Sequence, residues 1–209
     1  MVASNKITWR LSTLSTNIIQ RENIEVSNLG SLTDAQKSGL QDIILSPNRN
    51  LFPVIEQSAL YVCEAYKDLY KFVTDPDPDR RFLITGILDV GKSCFLLYLL
   101  IQLLYNVDDD DVTVIYHLWQ GKLCYCYENS NLKIGEIDDF SNHLHSSETW
   151  YLVDSTEPII VQVRTVVTIF SNSLNNEQFQ EFSKIVVNKY CMPPWTIEKL
   201  KACQKHIFT

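Results

Sequence analysis

The chain is 209 residues long, 45% hydrophobic and 21% charged, an ordinary composition for a globular protein with room for one domain and an extension. Its formal net charge of −7 argues against a surface built to hold duplex DNA or anionic membrane. The longest apolar run, Cys94 to Leu104, is too short to cross a bilayer, and residues 1–19 lack the apolar core of an export signal, so no membrane partner, an intracellular setting (cytoplasm or nucleus) and reduced cysteines are expected.

Residues 1–52 read as an N-terminal extension of unknown role. Ile7 to Leu11 suggests a short strand, and Ser31 to Asp34 would cap a helix over Ala35 to Leu45 that stops before Pro47. Residues 53–209 read as the main domain. Ala59, Val62, Cys63, Tyr66, Leu69, Tyr70 and Val73 recur at helical spacing and predict an amphipathic helix over 54–73 whose stripe packs on a sheet. Asp75-Pro76-Asp77-Pro78-Asp79 then breaks the helix.

Arg81 to Thr85 is apolar enough for a buried strand, and Gly86-Ile87-Leu88-Asp89-Val90-Gly91-Lys92-Ser93 follows it directly. This is the G-x-x-x-x-G-K-S pattern, with a strongly apolar helical run from Cys94 to Tyr105 behind it. The two glycines allow a tight turn that brings successive N–H groups onto a phosphate. The helix start adds its positive end. Lys92 supplies a cation for the β- and γ-phosphates, and the Ser93 hydroxyl is the expected first ligand of Mg²⁺. The expected phosphate contacts therefore run from Gly86 through Ile87, Leu88, Asp89, Val90, Gly91, Lys92 and Ser93 to Cys94, with ATP and Mg²⁺ as the cofactors.

Asp108 to Asp111 reads as a solvated loop. Val112 to His117 predicts a second strand, Lys122 to Tyr127 a hairpin strand and Leu132 to Ile134 a third. Ile137, Phe140 and Leu144 suggest a short helix. Cys124, Cys126, His143 and His145 are zinc-ligand residue types, but C-x-C spacing fits alternate residues on one strand face better than a metal site. Thr149-Trp150-Tyr151-Leu152-Val153-Asp154 predicts a strand buried on both faces that ends in a carboxylate. An acid at the carboxyl end of such a strand, after a phosphate loop, points to a second Mg²⁺ ligand, so Lys92 and Asp154 are the catalytic candidates, and Ser93 and Asp154 hold the metal. Thr165 to Phe170 is a further strand. Ser171 to Ser173 offers polar groups at its end, and Arg164 would serve as an arginine finger only in an oligomer. Asn175 to Tyr190 predicts a helix, Pro193-Pro194 breaks it, and Thr196 caps a last short one.

Three segments together, LITGILDVGKSCFLLYLL, TWYLVDS and CMPPWTIEKL, resemble the P-loop ATPase domain of crinkler-type effectors and the similar retrotransposon hot spot proteins, from about Tyr61 to Lys205. The resemblance implies an α/β fold: a P-loop NTPase (ASCE-like) parallel sheet flanked by helices, here with a small β-hairpin insertion and a poorly defined N-terminal extension. It also implies secretion into a host cell, a nuclear association and a nucleic acid partner. The chain departs from the family in lacking a following nuclease domain and an evident translocation header. It places Ser155 where many such ATPases carry a catalytic glutamate. The part after Ile197 reads as short of a last strand and lid, as in a C-terminally truncated domain.

The expected function is ATP-Mg²⁺ binding with slow hydrolysis. The alternative is a non-hydrolysing nucleotide-binding or protein-interaction module, with a protein partner or a second copy of the chain. A GTPase fits less well, because Asp154-Ser155-Thr156-Glu157 lacks the switch glycine and Asn188-Lys189-Tyr190-Cys191 lacks a guanine-reading aspartate. A small-molecule kinase would need an acceptor pocket and lid that no stretch supplies.

Overall fold

In the computed structural model, residues 43–45, 59–75, 80–106, 112–118, 123–128, 131–169, 177–186 and 188–207 are described. Strands β1 (Ile43–Leu45) and β2 (Ala59–Tyr61) form a small antiparallel ribbon. Helix α1 (Glu64–Thr74), strand β3 (Arg81–Thr85), helix α2 (Lys92–Asn106) and strand β4 (Thr113–His117) follow. Strands β5 (Leu123–Glu128) and β6 (Asn131–Glu136) make a hairpin, and two short 3₁₀ turns (Ile137–Phe140 and His143–His145) lead to β7 (Thr149–Asp154). The chain ends with β8 (Arg164–Thr168), α3 (Glu177–Ile185), β9 (Asn188–Cys191) and α4 (Ile197–Ile207).

Seven strands form one mixed sheet in the order β6-β5-β4-β7-β8-β3-β9. The five from β4 to β9 are parallel, and the β5–β6 hairpin adds two antiparallel strands at the β4 edge. β8 lies between β3 and β7, with Asp154 in register with Thr168. The parallel strands are apolar throughout because both faces are covered. Phe82, Ile84, Tyr116, Leu152 and Val166 face α1 and α2, where they meet Leu69, Val73, Phe95, Leu96 and Leu99. Their neighbours Leu83, Ile115, Tyr151, Val153 and Val167 face the opposite way, onto Phe140, Leu144, Phe179 and Phe182. Such alternation is what strand geometry requires.

Four expected helices are corrected. The one expected over 54–73 begins only at Glu64, since Ala59–Tyr61 is a strand; hydrophobic spacing across three residues does not separate the two states. In the helix expected over 35–45, Ile43–Leu45 is a strand paired with β2, which ties the N-terminal extension to the main domain. The helix expected over 175–190 stops at Ile185, and Asn188–Cys191 becomes β9, running parallel to β3 from Phe82↔Asn188 to Thr85↔Cys191. The short helix expected around Ile137 to Leu144 is instead the pair of 3₁₀ turns. Ile7 to Leu11, the aspartate run Asp108–Asp111 and Ser171–Ser173 lie outside the described residues.

Candidate functional site

β3 ends at Thr85, and the chain turns through Gly86–Gly91 into α2, whose first N–H groups have no acceptor within the helix. Ile87, Leu88 and Asp89 form the exposed tip, the first two at 59% and 65% exposure. Val90 turns inward and is buried. Asp89 has φ 58° and Gly91 φ 94°, so the loop makes two left-handed steps; a short polar residue tolerates this conformation and glycine adopts it freely. A Cβ on Gly91 would fall onto the Tyr66 hydroxyl.

Two aromatic residues hold the loop from behind. Tyr66 of α1 donates its hydroxyl to the Gly91 carbonyl at 2.9 Å. The indole Nε1–H of Trp195, in the Pro-Pro-Trp stretch, donates to the Val90 carbonyl at 2.8 Å. Met192 N–H donates to the Thr85 carbonyl at 2.8 Å, which brings that stretch to the end of β3. Tyr66 is locked in turn by Phe95 and Tyr98, with ring centroids 5.9 and 6.1 Å away. The Cys94 thiol is hydrogen-bonded to Tyr66, and burial pushes its ionisation upward. The side chain of Cys94 is therefore engaged inside the fold.

Lys92 is 4% exposed. Its Nζ donates to the carbonyls of Ile87 at 2.7 Å and Gly86 at 3.2 Å, folding the ammonium into the loop. Burial lowers its proton affinity, while the charges of Asp154 and Asp89 act in the opposite direction. Ser93 Oγ donates to Asp154 Oδ1 at 3.0 Å. Asp154, 5% exposed at the end of β7, also accepts Thr168 Oγ1 at 2.9 Å and Ser155 Oγ at 3.3 Å on the same oxygen. The serine after the Gly86–Gly91 loop, the strand-end acid and a strand-end threonine from the intervening β8 thus meet at one carboxylate, at the carboxyl ends of parallel strands.

The structure therefore brings Lys92, Ser93 and Asp154 together as expected, and it adds Thr168, Tyr66 and Trp195. Thr168 was hidden because its role depends on β8 lying beside β7, which no local pattern reveals. Trp195 carried a signal, since a tryptophan after two prolines is an unusual loop residue. Ser155 has φ 53°, its N–H donates to the Thr168 carbonyl at 2.9 Å, and its hydroxyl turns back to Asp154. It is engaged in holding the acid. Glu157, two residues on, is exposed.

Arg164 sits at the other end of the sheet. Its Nη1 donates to the carbonyls of Val73 at 2.9 Å and Asp75 at 3.2 Å, closing the C-terminus of α1, and its guanidinium lies 4.9 Å from the Trp150 ring centroid. This placement, remote from the Gly86–Gly91 loop of its own chain, gives it a capping role. Cys124 and Cys126 are buried against Phe140 and Leu144. His143 faces Glu128 at 3.5 Å, and His145 bonds the Ser141 carbonyl. Among the described residues no three His, Cys, Asp or Glu side chains cluster as a metal site.

The fold and site together define an α/β protein with a mixed sheet and a glycine-bounded loop facing a buried acid. No known protein family matches the chain, and no curated protein is significantly similar to it. No helix among the described residues is long and apolar enough to cross a membrane.

Proposed function

We propose that this chain is a P-loop domain that binds ATP with Mg²⁺. The reading rests on one observation above the others: Ser93 at the start of α2 hydrogen-bonds Asp154 at the end of β7, beside a loop that already holds Lys92. The residues fit the absent group. A serine hydroxyl and a carboxylate, 3.0 Å apart, are the hard oxygen ligands that Mg²⁺ takes, directly or through a water between them. Mg²⁺ held by Ser93 and Asp154 would neutralise charge that develops on the phosphates.

The chain's own residues would do the rest. The loop and helix-start amides from Ile87 to Cys94 would donate to the phosphates. Lys92 would exchange its bonds to the Gly86 and Ile87 carbonyls for bonds to phosphate oxygens, at little cost, because the ammonium is already desolvated there. Thr168 and Ser155 fix the rotamer of Asp154. The insertion of β8 between the loop strand and the acid strand supports an ASCE-type sheet. The resemblance to crinkler-type ATPase domains gains support from Trp195, whose motif docks on the phosphate loop. A protein or nucleic acid partner, and any nuclear or host-cell setting, rest on that resemblance alone.

A specific observation favours slow turnover or none. Ser155, in the place of a catalytic glutamate, spends its side chain on Asp154, and Glu157 is exposed. Among the described residues around Asp154, no carboxylate base is held where it would polarise a water. The test is calorimetric titration of ATP with Mg²⁺, with phosphate release followed on the same sample. Wild-type protein should bind with little release, and Lys92→Ala should lose binding while keeping its fold. Equal affinity in folded Lys92→Ala, or no binding by the wild type, overturns the reading.

A further inference from the structure

On the face of the sheet that carries Asp154, the strand β4 places one more polar group. Tyr116 pairs in register with Leu152, and Asp154 lies two residues further along β7, so Tyr116 and Asp154 share one face. Tyr116 is 3% exposed, and its hydroxyl finds no hydrogen-bond partner among the described residues. The Asp154 carboxylate lies close enough to act on it both by its charge and as an approaching acceptor, and the Cys94 thiol acts on it by charge, but the geometry stops short of a closed hydrogen bond. A phenylalanine would fill this core position equally well. A buried hydroxyl with no acceptor costs stability relative to that choice, so the position calls for an acceptor that arrives with a ligand.

We propose that Tyr116 is a positioning residue of the metal site: its phenol O–H holds Asp154, or the water that Asp154 shares with the ion, once Mg²⁺ and a nucleoside triphosphate are bound. The inference rests on the functional reading above and extends it to the groups around the metal. Asp154 Oδ1 already accepts Ser93, Thr168 and Ser155. Recruitment of Ser93 to the ion would draw one of these donors away, and Tyr116, on the neighbouring strand, would restore the count. Hydrogen bonds of this kind orient a ligating carboxylate, and their loss commonly lowers metal affinity tenfold or more.

The test compares Tyr116→Phe with wild type in two measurements. Thermal melting without nucleotide, in EDTA, should be unchanged or raised, because the variant removes an unpaired buried hydroxyl. ATP binding followed as Mg²⁺ is titrated should need about tenfold more Mg²⁺ for half-maximal binding, while ATP binding in EDTA stays at the wild-type level. A wild-type Mg²⁺ requirement in the variant overturns the inference. So does a nucleotide-free variant that melts several degrees lower, which would show the hydroxyl already bonded within the fold. Lys92→Ala separates the two levels: if it abolishes binding while Tyr116→Phe behaves as wild type, the ATP reading stands and this inference falls. A wild-type protein with no Mg²⁺-dependent ATP binding overturns both.

Discussion

Gly91 shows how closely single residues constrain the loop. Its φ of 94° lies where a side chain is strained, and a Cβ would meet the Tyr66 hydroxyl. That hydroxyl cannot swing away cheaply, because the Tyr66 ring is wedged against Phe95 and Tyr98 and its O–H bonds the Gly91 carbonyl. Gly91→Ala should therefore lose about 2–3 kcal/mol of stability in urea unfolding, from backbone strain and displacement of the ring together. Adding Tyr66→Phe removes the oxygen in the way, so the double variant should recover part of the loss and keep the backbone share. If the double variant is no more stable than Gly91→Ala alone, the clash contributes nothing. The same loop explains how Lys92 is buried: two carbonyls of the turn accept its protons.

At the scale of elements, the two ends of the sheet divide the work. The carboxyl ends carry the Gly86–Gly91 loop, Asp154 and Thr168, while the amino ends carry Arg164, which closes α1. Arg164→Met should cost about 1–2 kcal/mol through the lost helix-end bonds and the lost stacking on Trp150, with ATP affinity unchanged. Loss of nucleotide hydrolysis or binding in a fully folded variant would instead revive its role as a finger acting on a neighbouring molecule. The same division explains what the sequence disclosed. β3, α2, β4, β7 and β8 were legible because each is a long apolar run with one period, and the loop and the acid sit at their ends. β9 was not, because Phe179, Phe182, Val186 and Tyr190 keep helical spacing across the break at residues 186–188. Its four residues earn strand geometry only by pairing with β3. The ribbon of β1 and β2 failed for a similar reason, as three residues carry no period. Thr168 and Tyr116 read as ordinary strand residues until the strand order set them beside Asp154.

Across the whole molecule, the second face of the sheet braces the site through a buried His–Tyr pair. His117, at the end of β4, shares a 2.8 Å hydrogen bond with the Tyr151 hydroxyl of β7. The Ile159 backbone, in the segment that follows Asp154, lies close enough to act on the Tyr151 hydroxyl. Burial holds the imidazole below its ordinary value of 6.5, so the folded state keeps it neutral to lower pH than the unfolded chain does. Above 6.5 both states are neutral and the histidine adds no pH dependence. As pH falls below 6.5 the unfolded chain takes up the proton first, and stability drops with a slope of up to about 1.4 kcal/mol per pH unit until the folded histidine titrates too. Urea unfolding at pH 7 and pH 5 should show a larger loss for wild type than for His117→Gln, whose amide can bond Tyr151 but cannot titrate. Equal losses would assign the acid sensitivity to other groups. Because the pair holds the segment after Asp154, acid should loosen that segment before the opposite end of the sheet, and hydrogen exchange at Ile159 and Ile160 should rise at pH 5 ahead of exchange in α1.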